Sequence, residues 1–540
     1  MDAATIQRRR WSILGVLCLS LFVIVVDNTI VNVALPTISR ELGASTSQLQ
    51  WVVDAYSLVF AGLLLAAGSL GDRFGRKGAL QLGMVAFAVF SVLAGLAQTP
   101  EQLIAARAAM GIGAALIFPA TLAILTNVFT DPSERAKAIG AWAGVTGLAV
   151  ALGPVTGGWI LEHFAWGAIF LVNLPIAAVA LLLGRALVPT SRDPHAPRLD
   201  PVGLVLSIVG VVSLVWATIE APSHGWTSPT IVGAYALGAV VLVAFILWER
   251  RSTHPMLDVQ VFTNARFSAA SVSVALGFFA LFGFIFLITQ YFQVVRGYDT
   301  LSAGVHTLPF AVAIGITSPL SARLALRVGT KVVVAGGLAV MGVGFLVAST
   351  NGIDTPYWGP VVLAMVLIAV GLGLATAPAT ESIMGSLPPE KAGVGSAVND
   401  TTRELGGTLG VAVLGSVFSS VYGPRLAEAL SGLPIPAPAL QAARGSVGAT
   451  LAVAQQAGPE GGQAIVNAAR TAFVDGLGAA SLVAAGVVFL GALLALVLLP
   501  ARAALHGAAA GDAAHDRGLD AAPDDVDEVG EVGEVVVVRS

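Results

Sequence analysis

Long apolar stretches separated by short polar segments follow one another along almost the whole chain. Fourteen of them reach the roughly 20 residues that an α-helix needs to cross a bilayer. The first stretch continues into polar positions with no small-residue cleavage site, so we expect no cleaved signal peptide. The pattern predicts an all-α membrane protein, with spans near residues 12–34, 49–69, 79–97, 103–126, 137–160, 167–187, 202–220, 229–248, 267–290, 302–324, 332–349, 357–384, 398–420 and 478–499.

Basic residues are distributed unevenly over the segments that connect these spans. If the N-terminus is cytoplasmic, 21 of the 28 Lys and Arg residues fall on the cytoplasmic side and 5 fall outside. The remaining two, Arg107 and Arg403, lie within spans. An excess of Lys and Arg marks the cytoplasmic side of membrane proteins. We therefore expect a multi-pass protein of the plasma membrane with both termini in the cytoplasm.

Composition excludes several classes of function. The chain is 56% hydrophobic and 11% charged, whereas soluble proteins carry about 25% charged residues. A large soluble enzyme, a disordered protein and a nucleic-acid binder are therefore excluded. We also find no phosphate-binding glycine loop and no cluster with metal-ligand spacing, and we expect no enzymatic activity, cofactor or metal. The bias towards Ala, Gly, Val and Arg is typical of a GC-rich bacterial genome.

An internal repeat organises the spans into two halves. Residues 73–77 (RFGRK) follow the second span, and residues 327–331 (RVGTK) follow the tenth, at a shift of 254 residues. Residues 132–136 (PSERA) and 388–392 (PPEKA) precede spans five and thirteen, at a shift of 256. Spans one to six therefore correspond to spans nine to fourteen as a parallel repeat.

This repeat divides the chain into five parts. We expect a cytoplasmic N-terminus (1–11), an N-terminal six-helix bundle (12–187), a linker with the inserted spans seven and eight (188–266), a C-terminal six-helix bundle (267–500) and an acidic tail (501–540). A long loop rich in Ala, Gly and Pro, near 421–477, is expected outside the cell. The tail carries nine acids against two arginines from Gly511 onwards and is expected to be disordered in the cytoplasm.

Four motifs in the N-terminal half resemble signatures of the major facilitator superfamily. Residues 27–36 resemble the first-span signature of its fourteen-span drug:proton antiporter group, and Arg107 begins a fourth-span arginine motif. The third motif is the loop after span two, with Gly71, Asp72, Arg73, Gly75 and Arg76. The fourth motif lies on span five, with Gly147, Gly153, Pro154, Gly157 and Gly158. The resemblance implies the major facilitator fold and the export of hydrophobic or cationic small molecules in exchange for protons.

Ionisable residues within the spans are the main candidates for chemistry. An unpaired charge at the centre of a membrane helix costs about 2.5–3.5 kcal/mol. Asp27, Asp54 and Arg107 fall at a similar depth of the N-terminal bundle, and we predict that Arg107 pairs with Asp27 until the carboxylate is protonated. The alternative is a permanent ion pair that only joins helices. Asp54 could instead be a hydrated residue near the interface.

A second group of charges lies on span thirteen. Arg403 and Glu404 follow Asp400 by three and four residues, which places all three on one face of a helix. This group either neutralises itself or binds a proton or another cation.

The loop and span-five motifs predict moving parts. Gly71 and Gly75 permit a tight turn, and Asp72, Arg73 and Arg76 are expected to form ion pairs that break when the bundles move. The alternative is that the basic residues only fix the topology. On span five, the glycines predict close helix packing and Pro154 predicts a kink at the bundle interface, although ordinary membrane packing would also explain the glycines.

The sequence favours a proton-coupled exporter of drug-like or antibiotic molecules, with protons, a small-molecule substrate and the bilayer as its partners. A proton-coupled symporter or uniporter for a small nutrient is the alternative. A receptor or scaffold is disfavoured because it needs no buried charges. Aromatic residues are candidates for a cavity wall, although each taken singly fits a lipid-facing or interfacial position better (Trp51, Tyr56, Phe118, Trp142, Phe278, Phe279, Phe282, Tyr291 and Phe292). The sequence leaves the oligomeric state open.

Overall fold

The computed structural model describes residues 3–192, 200–387 and 392–500. Fourteen helical segments in these ranges are long and apolar enough to cross a membrane, which confirms the predicted number of spans. The α-helices are α1 (Ala3–Leu42), α2 (Thr46–Phe74), α3 (Arg76–Gly95), α4 (Pro100–Val128), α5 (Pro132–His163), α6 (Ala168–Leu171), α7 (Asn173–Leu187), α8 (Pro201–His224), α9 (Pro229–Arg251), α10 (Ala265–Gln290), α11 (Thr300–Val305), α12 (Leu308–Val328), α13 (Thr330–Ala348), α14 (Val362–Met384), α15 (Ala392–Ala429), α16 (Ala437–Gly445), α17 (Val447–Gln456) and α18 (Gly458–Leu498).

Local sequence signals set the beginnings of several spans. Ser45 forms a capping box with Gln48 at the start of α2, each side chain accepting the backbone N–H of the other. The hydroxyl of Thr99 and the carboxylate of Asp131 cap α4 and α5, each followed by a proline at the first helical position. These residues satisfy N–H groups that would otherwise lack partners at the ends of apolar helices.

The repeat predicted from the sequence recurs in the backbone. A single glycine, Gly75, joins α2 to α3 with a φ of 122°, and Gly329 joins α12 to α13 with a φ of 92°. Residues with a side chain rarely adopt these φ values, which explains why both copies of the loop keep glycine. Pro388 to Lys391, in the second copy of the other repeated motif, lie outside the described residues.

The same kind of helix crossing occurs within each half of the molecule. In the first half, a Cβ on Gly83 would lie 2.8 Å from the Gly113 carbonyl oxygen, so α3 and α4 touch through their backbones. In the second half, a Cβ on Gly337 would lie 2.7 Å from the Gly371 carbonyl oxygen, between α13 and α14. Small residues allow membrane helices to approach this closely.

The inserted spans α8 and α9 pack against each other as a hairpin. The first of them, α8, lies along α2 and α15, where Val215 and Ile219 join Leu58 and Ala412 in a buried apolar cluster. The Ser416 hydroxyl of α15 donates a hydrogen bond to the Thr218 carbonyl of α8 at 2.7 Å. The insertion therefore contacts both halves of the molecule.

The connection expected at 421–477 is largely helical rather than a long loop. Helix α15 continues to Ala429, α18 already begins at Gly458, and α16 and α17 lie between them. The segment was expected to be a loop because it is rich in Ala, Gly and Pro. Alanine, however, is the strongest helix former. Tyr422 and Thr450 tie the segment together by a hydrogen bond of 2.8 Å between their hydroxyls. The predicted disordered tail, 501–540, lies outside the described residues.

We expect Gly337→Ala to destabilise the protein because the added methyl group must push α13 away from the backbone of α14. Overpacking of this kind costs about 1–3 kcal/mol. The adjacent substitution Gly336→Ala is the matched control, since a Cβ there meets nothing within 4 Å. Thermal unfolding of the purified variants in detergent tests this, and equal melting temperatures would contradict the crossing.

Candidate functional site

A chamber lies between the two halves of the molecule. Its walls come from α1 and α5 of the first half and from α10, α12 and α14 of the second. Its cavity volume is about 50 Å³, and it is lined by Thr29, Asn32, Val150, Ala151, Pro154, Phe284, Ile285, Ile288, Thr289, Thr307, Phe310, Ala311 and Met365. Among the described residues that line it, none carries a charge. Its mostly apolar lining suits an apolar molecule, but a volume of about 50 Å³ holds only a few water molecules, so a drug-sized ligand requires the two halves to move apart.

One end of the chamber is closed by contacts between the halves. We call this the outer end; it is the end at which α1 ends and α2 begins. The Thr300 hydroxyl donates to the Gly158 carbonyl at 3.0 Å, and the Leu301 N–H donates to the Glu162 carboxylate at 3.0 Å. The Thr289 hydroxyl donates to the Asn32 carbonyl at 2.8 Å. These bonds join α5 to α11 and α1 to α10.

The opposite, inner end is less tightly packed. Gly140, Ala143 and Leu148 are exposed on the inner half of α5, and Arg323 and Leu326 are exposed on the inner half of α12. The molecule therefore adopts a conformation that is closed at the outer end and open at the inner end.

Asp27 and Arg107 form a fully buried ion pair within the first half. Their side chains are 0% exposed, and Arg107 Nη1 lies 2.5 Å from Asp27 Oδ2. The Asn173 amide on α7 donates to the other carboxylate oxygen at 2.7 Å. Arg107 Nε donates to the Val52 carbonyl of α2 at 3.1 Å. The pair that the common depth of the two residues predicts is confirmed, and it joins four helices.

Tyr56 completes the surroundings of the arginine. The guanidinium carbon of Arg107 lies 4.3 Å from the centre of the Tyr56 ring, a cation–π distance. Tyr56 is fully buried, and its hydroxyl has no hydrogen-bond partner in the described part of the chain. Arg107 Nη2 likewise has none. The arginine thus keeps the two N–H donors of Nη2 available for a different arrangement.

Asp54 does not join this pair. It is fully buried on α2, so the expectation of a hydrated residue near the interface does not fit its 0% exposure. Neither of its carboxylate oxygens has a hydrogen-bond partner among the residues described. An unpaired carboxylate is stable in such surroundings only when it binds a proton or water.

The three charged residues on α15 differ in their contacts. Arg403 lies 3.7 Å from Asp400 and donates to the Thr380 hydroxyl of α14 at 3.0 Å. Glu404 Oε2 is buried, and no partner for it occurs in the described ranges. The group therefore neutralises itself only in part, because Arg403 pairs with Asp400 while Glu404 Oε2 lacks a hydrogen-bond partner among the described residues.

The short loop after α2 is tied to its own half of the molecule. Arg76 Nε lies 2.6 Å from Asp72 Oδ1, and the Arg76 N–H donates to the Ser191 carbonyl at 3.0 Å. Arg73 lies over the ring of Phe74, with 5.7 Å between the guanidinium carbon and the ring centre. Gly71 is buried beneath this turn, and a Cβ there would lie 3.4 Å from Ala79.

The glycines of α5 divide into two groups. A Cβ on Gly153 or Gly157 would overlap Thr29 or Ile30 of α1, and one on Gly158 would overlap the backbone of Thr300. The carbonyl of Pro154 packs against Gly304 of α11 in the same way. Close packing is therefore restricted to the outer half of α5. Gly147 differs from the prediction, because it lies on the open inner half with nothing within 4 Å of its Cβ position.

Sequence reasoning missed several residues of this site. None of the nine aromatic candidates lines the chamber; its described aromatic residues are Phe284 and Phe310. Asn173 was not predicted to donate a hydrogen bond to Asp27, although an amide within an apolar helix indicates a polar partner nearby. In the described ranges, no group of three or more His, Cys, Asp or Glu is arranged to hold a metal ion.

Comparison with known proteins agrees with this architecture. The sequence is 38% identical to the multidrug efflux pump LfrA of Mycolicibacterium smegmatis, over 89% of this chain and 94% of LfrA. It is 37% identical to the puromycin resistance protein pur8 of Streptomyces alboniger, over 78% of this chain and 84% of that protein.

A solved structure supports the fold. A bacterial homologue of the human lysosomal transporter Spinster, in an inward-facing and unoccupied conformation, covers 90% of this chain with a TM-score of 0.60 at 18% identity. This chain covers 98% of that structure. The sequence pattern that describes the Major Facilitator Superfamily matches residues 17–411. The chain is therefore a multi-pass membrane protein with the major facilitator fold, and it belongs to the major facilitator superfamily of membrane transporters.

Proposed function

We propose that the protein is a proton-coupled exporter that carries hydrophobic or cationic small molecules out of a bacterial cell in exchange for protons and so confers resistance to drugs or antibiotics. The observation that carries the proposal is the fully buried pair of Asp27 and Arg107. The relatives support it, since two of them are named for multidrug efflux and for puromycin resistance.

Protonation of Asp27 is the proposed coupling event. In the ionised state its two oxygens accept hydrogen bonds from Arg107 and Asn173. A proton on the carboxyl group removes the charge that neutralises Arg107. An arginine remains protonated in a protein, so its buried charge is then unpaired and the packing of α1 against α4 becomes unfavourable.

Helix α1 connects this event to the chamber. Asp27 is followed two residues later by Thr29 and five residues later by Asn32, both of which line the chamber. Thr29 also packs against Gly153 on α5, the helix that closes the outer end. A displacement of α1 at Asp27 therefore changes both the chamber wall and the outer closure.

The orientation completes the proposed cycle. With both termini in the cytoplasm, the open inner end faces the cytoplasm or the inner leaflet of the plasma membrane, where the exporter collects its substrate. The uncharged chamber admits a hydrophobic molecule through this end. Opening of the outer end then requires α5 to separate from α11. The Asp72 and Arg76 turn would meet the other half of the molecule when the inner ends approach each other.

Cells that produce the protein should grow at higher puromycin concentrations than cells without it, because export lowers the internal concentration. A protonophore should remove the difference in puromycin accumulation, since the proposed energy source is the proton gradient. Accumulation assays with radiolabelled puromycin test both points. Raised accumulation of a sugar or amino acid, with no effect on puromycin, would contradict export and support the uptake alternative.

Asp27→Asn should abolish transport driven by a pH difference, because the amide has no titratable proton. The expected loss is about a hundredfold or more, as for removal of a general acid–base group. Puromycin uptake into inside-out vesicles measures it. Glu41→Gln on the exposed end of α1 is the matched control and should behave like the wild type. Undiminished pH-driven transport by the folded Asp27→Asn variant is the result that excludes the role.

Asp72→Asn should slow transport while leaving stability almost unchanged. A partly exposed ion pair contributes at most about 1 kcal/mol, and every basic residue of the loop is retained, so the topology is preserved. Glu134→Gln removes a different ion pair at the inner end, Arg10–Glu134 at 2.8 Å, and controls for loss of a surface charge pair. Transport rate and melting temperature are measured together. An unchanged rate would mean that the loop only fixes the topology.

A further inference from the structure

A stripe of polar residues on α2 faces α15, away from the chamber. Gln50, Asp54 and Ser57 are spaced by four and three residues, so they share one face of the helix. The Gln50 amide donates to the carbonyls of Val411 and Ala412, both at 3.0 Å. This contact identifies the face that meets α15, and Asp54 and Ser57 lie on it.

A matching stripe runs along α15. Thr401, Glu404 and Thr408 are spaced by three and four residues and continue in register to Gly415. A Cβ on Gly415 would overlap the side chain of Gln50, so this stripe faces α2. The two helices run in opposite directions. The register therefore places Asp54 at the level of Thr408, and Ser57 between Thr408 and Glu404.

The two stripes share an unusual set of polar atoms. Both oxygens of Asp54 and the hydroxyl of Ser57 are buried without a hydrogen-bond partner in the residues that the structure describes. The same holds for the hydroxyls of Thr401 and Thr408 and for Oε2 of Glu404. Asp54, Ser57 and Thr408 are at most 1% exposed. Buried polar groups in proteins are almost always paired, and internal water supplies the partner where the protein does not.

The stripes are shielded on the lipid side by α8. Val215 and Ile219 of α8 pack against Leu58 of α2 and Ala412 of α15. On the next turns, Ile208 packs against Gly62, with 3.0 Å from the Ile208 Cγ1 to the Cβ position of the glycine. The chamber walls include no described residue of α2 or α15. The polar contact is thus covered by α8 on its lipid side.

Other charged groups surround this contact. Arg107 on α4, paired with Asp27 of α1, lies behind the ring of Tyr56 on α2. Asp400 and Arg403 pair with each other on α15. Glu220, at the outer end of α8, accepts a hydrogen bond from Trp51 at 3.3 Å.

We propose that the contact between α2 and α15 is a hydrated proton path from Asp54 to Glu404, and that α8 is its seal against the lipid. This inference rests on the proposed proton-coupled export. A proton enters from the outer side and neutralises the Asp54 carboxylate. It passes through water and the hydroxyls of Ser57 and Thr408 to Glu404, so that Asp54 is ionised again as Glu404 is neutralised. Glu404 releases the proton on the inner side when the inner end is open, whereas Asp54 takes up a proton only when the outer end is open, so the path is never open to both sides at once.

The path is tested with Thr408→Val, which removes the hydroxyl and retains the shape of the side chain. The protein is reconstituted in liposomes that contain the pH-sensitive dye pyranine, and puromycin is the transported probe. We expect pH-driven puromycin transport to fall severalfold, with the puromycin dissociation constant almost unchanged. Thr471→Val, at an exposed position of α18, is the control and should resemble the wild type.

The seal is tested with two identical substitutions on α8. Val215→Ser opens the buried face that covers the path, whereas Val212→Ser alters a valine that is 36% exposed on the same helix. Without puromycin, Val215→Ser should dissipate an imposed pH difference severalfold faster than the wild type, and Val212→Ser should not. Size-exclusion chromatography and puromycin binding establish that both variants are folded.

The outcomes separate this inference from the proposed function. If the wild type transports puromycin without moving protons, the proposed proton coupling is wrong. If the wild type is coupled and Thr408→Val is coupled equally well, the path is overturned. Equal leak rates in the two α8 variants overturn the seal.

Discussion

A guanidinium group inside a membrane must be neutralised, because it cannot lose its proton and has no water to solvate it. Around Arg107 this requirement brings together the carboxylate of Asp27, the carbonyl of Val52 and the ring of Tyr56. Asn173 holds the second oxygen of the carboxylate. Four helices therefore depend on one charge, and a single proton on Asp27 would alter the packing of all of them.

The contacts between the halves are of a different kind. At the outer end, α5 meets α11 through glycines and backbone carbonyls, with Gly158 against Thr300 and Gly304 against Pro154. Such an interface forms by close packing and a few neutral hydrogen bonds. It can separate without exposing an unpaired charge to the lipid. Charge thus organises the interior of the first half, whereas small residues make the contact that must open and close.

The inserted hairpin of α8 and α9 shields a second set of buried polar groups. Helix α8 covers the contact between α2 and α15, whose facing stripes carry Asp54 and Glu404. The chamber lies on the other side, between α5 and α12. A proton and a lipophilic substrate have opposite requirements, since one needs polar atoms and water and the other needs a dry apolar wall. In the proposed function, the polar atoms between α2 and α15 serve the proton and the apolar chamber wall serves the substrate.

The sequence by itself determined the fourteen spans, the repeat and the pairing of Arg107 with Asp27. The bilayer acts on each stretch of about 20 residues independently and penalises any unpaired charge, so these features can be read locally. Only the tertiary structure decided which faces meet. It placed Glu404 towards α2, left Gly147 in open space, made Phe284 and Phe310 the chamber aromatics and turned most of residues 421–477 into helices. These helices are apolar on nearly every side, so periodicity carries little information about which face meets which neighbour, and that choice depends on the packing of distant segments.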